Sequence, residues 1–186
     1  MSTRVKVNET LRSFFYERVE HAVERRKASL SDETQAYTVN FLAAYARRTG
    51  LAGRRSRALA LDFMEAIDRG ASALRDVGDR ALYIAGVVPR SLDRTPMNVR
   101  YVASIGTNAY REVGGMLPGL PVFKELAESF ETVRLVVGDA TTSDEHEHIN
   151  LLEVYERWLS ARDQRDAEVL LAAGMRLDDA STHGVH

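Results

Sequence analysis

The sequence predicts an all-α protein, a single-domain helical bundle of seven or eight helices packed around a buried central helix. Apolar residues recur with the i, i+3, i+4, i+7 spacing of an amphipathic helix over most of the chain, for example in residues 11–23. Between Ala36 and Ala46 only Thr38 and Asn40 are polar, which is typical of a helix that is covered on all sides. No segment alternates polar and apolar residues over a length that would indicate a strand.

The composition is that of an ordinary globular protein. With 186 residues, 45% of them hydrophobic and 28% charged, the chain has the size and composition of one domain. We expect that domain to occupy residues 1–177 and the polar segment 178–186 to form a flexible C-terminal tail. The formal net charge of −2 does not require a strongly basic or acidic partner.

Cysteine usage and hydropathy exclude several classes of protein. The chain has no cysteine, which excludes a disulfide scaffold, thiolate catalysis and cysteine-based metal sites. Residues 1–8 hold no apolar run typical of a signal sequence, and no window approaches the ~18 apolar residues that span a bilayer. We therefore expect a cytoplasmic protein without a membrane segment. Its many arginines and alanines give it a bacterial-like composition.

Helices predicted in the first half of the chain span about residues 8–27, 32–49, 54–69 and 71–88. Ser31 is predicted to cap the second helix, and Asn40 within that helix is expected to need a hydrogen-bond partner in the core. The core face predicted for the third helix consists of Leu59, Phe63, Met64 and Ile67. Gly70 separates the third helix from the fourth, and Pro89 ends the fourth.

Helices predicted in the second half span about residues 96–113, 121–137, 143–162 and 163–173. Thr95 followed by Pro96 is a good start for the fifth helix. Small residues between Ala103 and Thr107 make the middle of this helix thin, so another helix can approach it closely. The capping box Thr142-Ser-Asp-Glu145 predicts the start of the seventh helix and places residues 138–143 in a loop.

Two histidines, His146 and His148, suggest a metal site that the spacing does not support. On a helix, residues at i and i+2 point about 200° apart, so these histidines are predicted not to share an ion. Glu145 and His148 share a face, as in the carboxylate-bridged di-metal bundles, but the chain lacks the second Glu-x-x-His of that architecture. We predict no metal site and no cofactor.

A run of arginines forms a candidate patch for an anionic partner. It consists of Arg47, Arg48, Arg54, Arg55 and Arg57. These five residues have no acidic residue among them, and such a patch favours phosphate or acidic protein surfaces. The alternative is that cations simply suit the C-terminus of a helix. Because no nucleic-acid-binding module accompanies the run, nucleic acid is not expected as the partner.

Polar residues on the fourth and fifth helices form a candidate ligand site. Its members are Asp79, Tyr83, Tyr101, Ser104 and Asn108. The last three share one face of the fifth helix, and a face with hydroxyls, an amide and a carboxylate can line a small pocket. The alternative, which we favour, is close packing of the two helices, with tyrosine hydroxyls bonded to buried polar groups. It predicts that Asp79 accepts a hydrogen bond from a tyrosine or a backbone donor.

The sequence indicates binding rather than catalysis. The chain contains no hydrolase, kinase or dinucleotide-binding motif. We expect a non-enzymatic protein that acts by protein–protein interaction, in a regulatory or adaptor role, and associates with itself as a homodimer. The apolar arc of the seventh helix through Trp158 and Leu159 would supply the dimer surface. The alternative is a small-ligand- or metal-dependent protein that uses the face around Asp79, Tyr83, Tyr101 and Asn108.

Overall fold

Helices dominate the computed structural model, which describes residues 2–47, 58–88, 98–142 and 150–177. These residues form nine α-helices: α1 (Ser2–Arg26), α2 (Asp32–Ala46), α3 (Leu59–Arg69), α4 (Ala71–Leu82), α5 (Val99–Met116), α6 (Pro121–Glu128), α7 (Phe130–Thr141), α8 (Leu151–Ala161) and α9 (Gln164–Ala172). A π-helical turn, Tyr83–Val87, continues α4. Within the described ranges, strand pairing is limited to one isolated bridge between Thr142 and Asn150. The prediction of an all-α helical bundle is confirmed.

The helices pack around one hydrophobic core. The most extensive contact joins α4 to α5, and α5 also packs against α3, α6, α7 and the π-helical turn. Helix α2 packs against α1, α6, α7 and α8, and it buries eight of its fifteen residues. Asn40 lies on the exposed edge of α2 and donates to the Ala36 carbonyl at 2.9 Å. The expectation that Asn40 needs a partner in the core was therefore wrong.

Glycines allow the close approach of α4 and α5, as the thin middle of the fifth predicted helix indicated. A Cβ atom on Gly78 would lie 2.7 Å from the ring of Tyr110. A Cβ on Gly106 would lie 2.5 Å from the ring of Phe130 and 2.8 Å from the Cβ of Ala81. All three distances are far inside van der Waals contact, so these two positions require glycine at the present helix separation.

The predicted sixth helix is two helices in the structure. It breaks at Ser129, between α6 and α7, and the second part continues through Gly138 to Thr141. The predicted break at residue 138 was wrong because Gly138 serves packing, since a Cβ there would lie 3.2 Å from the Gly86 carbonyl oxygen. The apolar spacing conceals the break at Ser129 because both helices face the same core.

Several helix starts differ from the predicted ones. The cap Ser31 is confirmed, since its side chain accepts from the Thr34 amide at 3.2 Å. In contrast, α5 begins at Val99, where the Asn98 side chain accepts from the Tyr101 amide at 2.8 Å, and not at Pro96. Likewise α8 begins after Asn150, whose side chain accepts from the amides of its first turn, and not at the predicted capping box. The segment 178–186 lies outside the described residues.

Candidate functional site

A buried carboxylate joins three helices at the centre of the bundle. Asp79 on α4 is 9% exposed, and its Oδ1 atom accepts from the hydroxyl of Tyr37 on α2 at 2.5 Å and from that of Tyr110 on α5 at 2.8 Å. The other oxygen lies 3.8 Å from Nε of Arg75, one turn earlier. We call Asp79, Tyr37 and Tyr110 the Asp79 cluster. It confirms the prediction that Asp79 accepts a hydrogen bond from a tyrosine.

Burial shifts the titration of every member of the Asp79 cluster. It raises the pKa of Asp79, although the hydrogen bonds from the two tyrosines and the charge of Arg75 act in the opposite direction. Burial also raises the pKa of Tyr37 and of Tyr110, and the nearby Asp79 carboxylate adds to both shifts. Both tyrosines therefore stay protonated at neutral pH and act as hydrogen-bond donors. This arrangement ties helices together and provides no activated nucleophile.

Tyr83 lies apart from the Asp79 cluster. Its ring stacks on that of Tyr45 on α2, with 4.7 Å between centroids and 23° between planes. Burial raises its pKa, and the charges of Glu156 and Glu153 on α8 add to the shift. Tyr83 thus joins the π-helical turn to α2.

The other three predicted ligand residues share the solvent-exposed face of α5. Tyr101 is 44% exposed, and Ser104 donates to the Tyr101 carbonyl at 2.8 Å. Asn108 accepts from the Arg111 guanidinium through its side-chain oxygen. The spacing correctly placed these three on one face, but the structure does not bring that face to Asp79 or Tyr83. A ligand-binding role for the five residues stays a prediction.

Two of the clefts among the described residues can be defined by their lining, and neither of these two is lined by the five predicted residues. One, of about 200 Å³, lies between α1, α7 and α9 and is bordered by His21, Arg25 and Asp139. The other, of about 220 Å³, lies between α3 and α4. Both are smaller than the ~300–1,000 Å³ of typical ligand pockets.

No group of three or more metal-ligating side chains comes together in the described part of the chain. His146 and His148 lie outside it, as does Glu145. The prediction that the two histidines do not share an ion therefore stays a prediction.

Of the five arginines in the run, only Arg47 lies among the residues that the structure describes. Arg47 donates from Nε to the Ala43 carbonyl at 2.9 Å, in the last turn of α2. This bond is the helix C-terminal role that the alternative reading predicts. Arg48, Arg54, Arg55 and Arg57 lie outside the described residues, so a patch for an anionic partner stays a prediction.

An exposed apolar stripe on α3 was not predicted. Leu61, Met64 and Ile67 are 51%, 65% and 46% exposed, and we call them the α3 stripe. Met64 and Ile67 were predicted to lie in the core, which was wrong because α3 fully buries only Leu59 and Ala66. The sequence did indicate that some of these apolar residues would be exposed, since the large apolar residues of this helix spread over more than one face.

The surface that was predicted to drive dimerisation is covered within the chain. Trp158 on α8 is 8% exposed, and its ring centroid lies 5.7 Å from that of Tyr155. The guanidinium of Arg162 lies 4.2 Å from the centre of the Trp158 ring, which is a cation–π contact. The expectation that Trp158 forms an apolar surface for a second copy was wrong.

Compared with protein-family models, curated proteins and solved structures, the chain matches none of them. Within the ranges that the structure describes, no helix has the length and apolar character needed to cross a membrane. A function must therefore be inferred from the surface and the core of the molecule itself.

Proposed function

We propose that the protein acts by protein–protein interaction and associates with itself as a homodimer through the α3 stripe. The observation that supports this proposal is the exposure of Leu61, Met64 and Ile67 on one short helix. Adjacent large apolar side chains on a surface are typical of interaction sites, because covering them removes apolar area from water. Such a surface would suit a regulatory or adaptor protein of the cytoplasm.

A second copy is a suitable occupant of the stripe. In a two-fold dimer the same patch is used by both subunits, so an apolar stripe is covered by another apolar stripe. Of the acidic residues beside it, Asp62 is neutralised within the chain by an ion pair with Arg80 on α4. The formal net charge of −2 is also too small to keep two copies apart.

A lysine in the stripe is expected to abolish the dimer. Met64→Lys places a charge in the centre of the proposed contact, where it would have to be desolvated without a partner. Because Met64 is 65% exposed, the melting temperature of the monomer should change little. Sedimentation velocity at micromolar concentrations should therefore show a loss of dimer without a loss of folded protein.

The matched control is Leu171→Lys on α9. Leu171 is 56% exposed and lies outside the α3 stripe, so this variant should keep the dimer of the wild-type protein. If Met64→Lys and Leu171→Lys have the same dimer fraction as the wild type, the α3 stripe is not the contact surface.

A further inference from the structure

We propose that α6 is a lid over the Asp79 cluster, that the carboxylate of Glu125 holds it closed on the N-terminus of α2, and that it opens separately from the rest of the bundle. This inference does not depend on the proposed self-association, because the α3 stripe takes no part in it. It assigns a movable element to the core of the molecule.

Helix α6 covers both tyrosines of the Asp79 cluster. The ring centroid of Phe123 on α6 lies 5.6 Å from that of Tyr37 and 6.3 Å from that of Tyr110. Phe123 is 5% exposed, and Tyr110 is fully buried. Moving α6 away would therefore uncover part of the two rings whose hydroxyls donate to Asp79.

One carboxylate attaches α6 to the N-terminus of α2. Oε1 of Glu125 accepts from the Ser31 amide at 2.9 Å, and Oε2 accepts from the hydroxyls of Ser31 and of Thr34, the latter at 2.6 Å. Burial acts to raise the pKa of Glu125, but these hydrogen bonds outweigh it and hold the pKa below its usual value. Glu125 is therefore ionised at neutral pH. All three bonds are then charge-assisted, and the positive pole of the α2 dipole strengthens them.

The segment around α6 has the features of a unit that opens locally. Residues 115–120, which lead into it, are all exposed, and Leu120 has no side-chain oxygen that could cap its first turn. At the other end the helix breaks at Ser129, before α7 begins. With eight residues, α6 is shorter than the ~12–15 residues that an isolated helix needs in water. Its stability therefore depends on its buried apolar face and on Glu125.

Losing the Glu125 contact shifts the balance between the closed and the open position of α6. In the closed position without this carboxylate, the hydroxyl of Thr34, which is fully buried, and the amide of Ser31 lose their acceptor. Such a loss is costly where water does not reach the group. When α6 opens, water can bind both groups, so the open position escapes this cost.

Hydrogen exchange of the full chain, followed by mass spectrometry of its peptides, measures this opening. In Glu125→Ala, the amides of α6 are expected to exchange on the order of tenfold faster than in the wild type, because bonds to a charged group stabilise the closed position. The amides of α1, which packs against α2 and α7, should keep their wild-type rates. Thr34→Val, on the α2 side of the contact, removes one of the three bonds and should speed up exchange of α6 by a smaller factor.

Glu128→Ala is the matched control on the same helix. The side chain of Glu128 is 65% exposed, and it lies 3.9 Å from Nζ of Lys124, whose side chain is 74% exposed. Such a surface ion pair contributes little to stability. The amides of α6 should therefore exchange within about twofold of the wild-type rate in this variant.

Nitration of tyrosines with tetranitromethane reports whether the opening of α6 uncovers the Asp79 cluster. Tyr101, which is 44% exposed, should react in every variant. Tyr110 should react several-fold faster in Glu125→Ala than in Glu128→Ala. Tyr45, which is 5% exposed and stacks on the π-helical turn, should stay protected in both and so reports that the rest of the bundle is folded.

Three results would overturn the inference, and none of them depends on the mass of the protein in solution. Exchange of α6 at the wild-type rate in both Glu125→Ala and Thr34→Val means that the carboxylate does not hold α6. Equal acceleration of α1 and α6 means that α6 does not open separately from the bundle. Faster exchange of α6 while Tyr110 reacts no faster than in Glu128→Ala means that α6 is not a lid over the Asp79 cluster.

Discussion

Replacing Phe41 with alanine is expected to lower the free energy of unfolding by about 3–5 kcal/mol. Phe41 on α2 is 4% exposed, and its ring centroid lies 4.8 Å from that of Tyr45. Truncation removes a whole ring from the core and leaves a cavity that the surrounding helices can fill only in part. Urea unfolding followed by circular dichroism measures the change, and the slope with denaturant should stay constant if unfolding remains two-state.

Asn40→Ala is the matched control, because Asn40 is the exposed neighbour of Phe41 on the same helix. It loses only a hydrogen bond to the Ala36 carbonyl, so its stability should stay within about 0.5 kcal/mol of the wild type. A loss below about 1 kcal/mol for Phe41→Ala would mean that α2 is peripheral to the core.

Asp79→Ala is expected to cost about 2–4 kcal/mol, measured in the same way. The substitution leaves the hydroxyls of Tyr37 and Tyr110 without their acceptor, and each buried donor left unpaired costs about 1–3 kcal/mol. Asp79→Asn keeps an oxygen in the same place and should cost less at neutral pH. An Asn variant as unstable as the Ala variant would show that the charge of Asp79, and not its role as acceptor, stabilises the fold.

The stability of the wild-type protein relative to Asp79→Asn is expected to change with pH in one direction. Burial raises the pKa of Asp79 in the folded protein above that of the unfolded chain, which is about 3.9. The ionised carboxylate therefore costs stability at neutral pH, and this cost is relieved as the pH falls through the raised pKa. Relative to Asp79→Asn, the wild-type protein should gain stability from pH 7 towards pH 4. The opposite trend would mean that hydrogen bonds stabilise the carboxylate more than burial destabilises it.

Helical periodicity was sufficient to predict the fold class and most of the core. Every predicted helix has a counterpart among the described residues, because amphipathic spacing is a local property of the sequence. The exact ends of the helices were harder to predict, since several residues near each end can act as caps. Asn98 and Asn150 cap α5 and α8 because the tertiary structure selects them among these candidates.

The candidate site was harder to predict because its contacts are long-range. Spacing placed Tyr101, Ser104 and Asn108 on one face of the fifth predicted helix. It gave no indication that Tyr37, 42 residues before Asp79, would be one of its hydrogen-bond partners. The same limit applies to α3, where periodicity cannot tell which of two apolar sides faces the core. The exposure of Met64 follows from how α3 packs against α4 and α5.

The solution mass of the wild-type protein tests the central claim, self-association, most directly. Multi-angle light scattering across the micromolar range should give a mass that rises with concentration towards twice 20.8 kDa. A mass of 20.8 kDa at every concentration in that range would contradict the proposed homodimer.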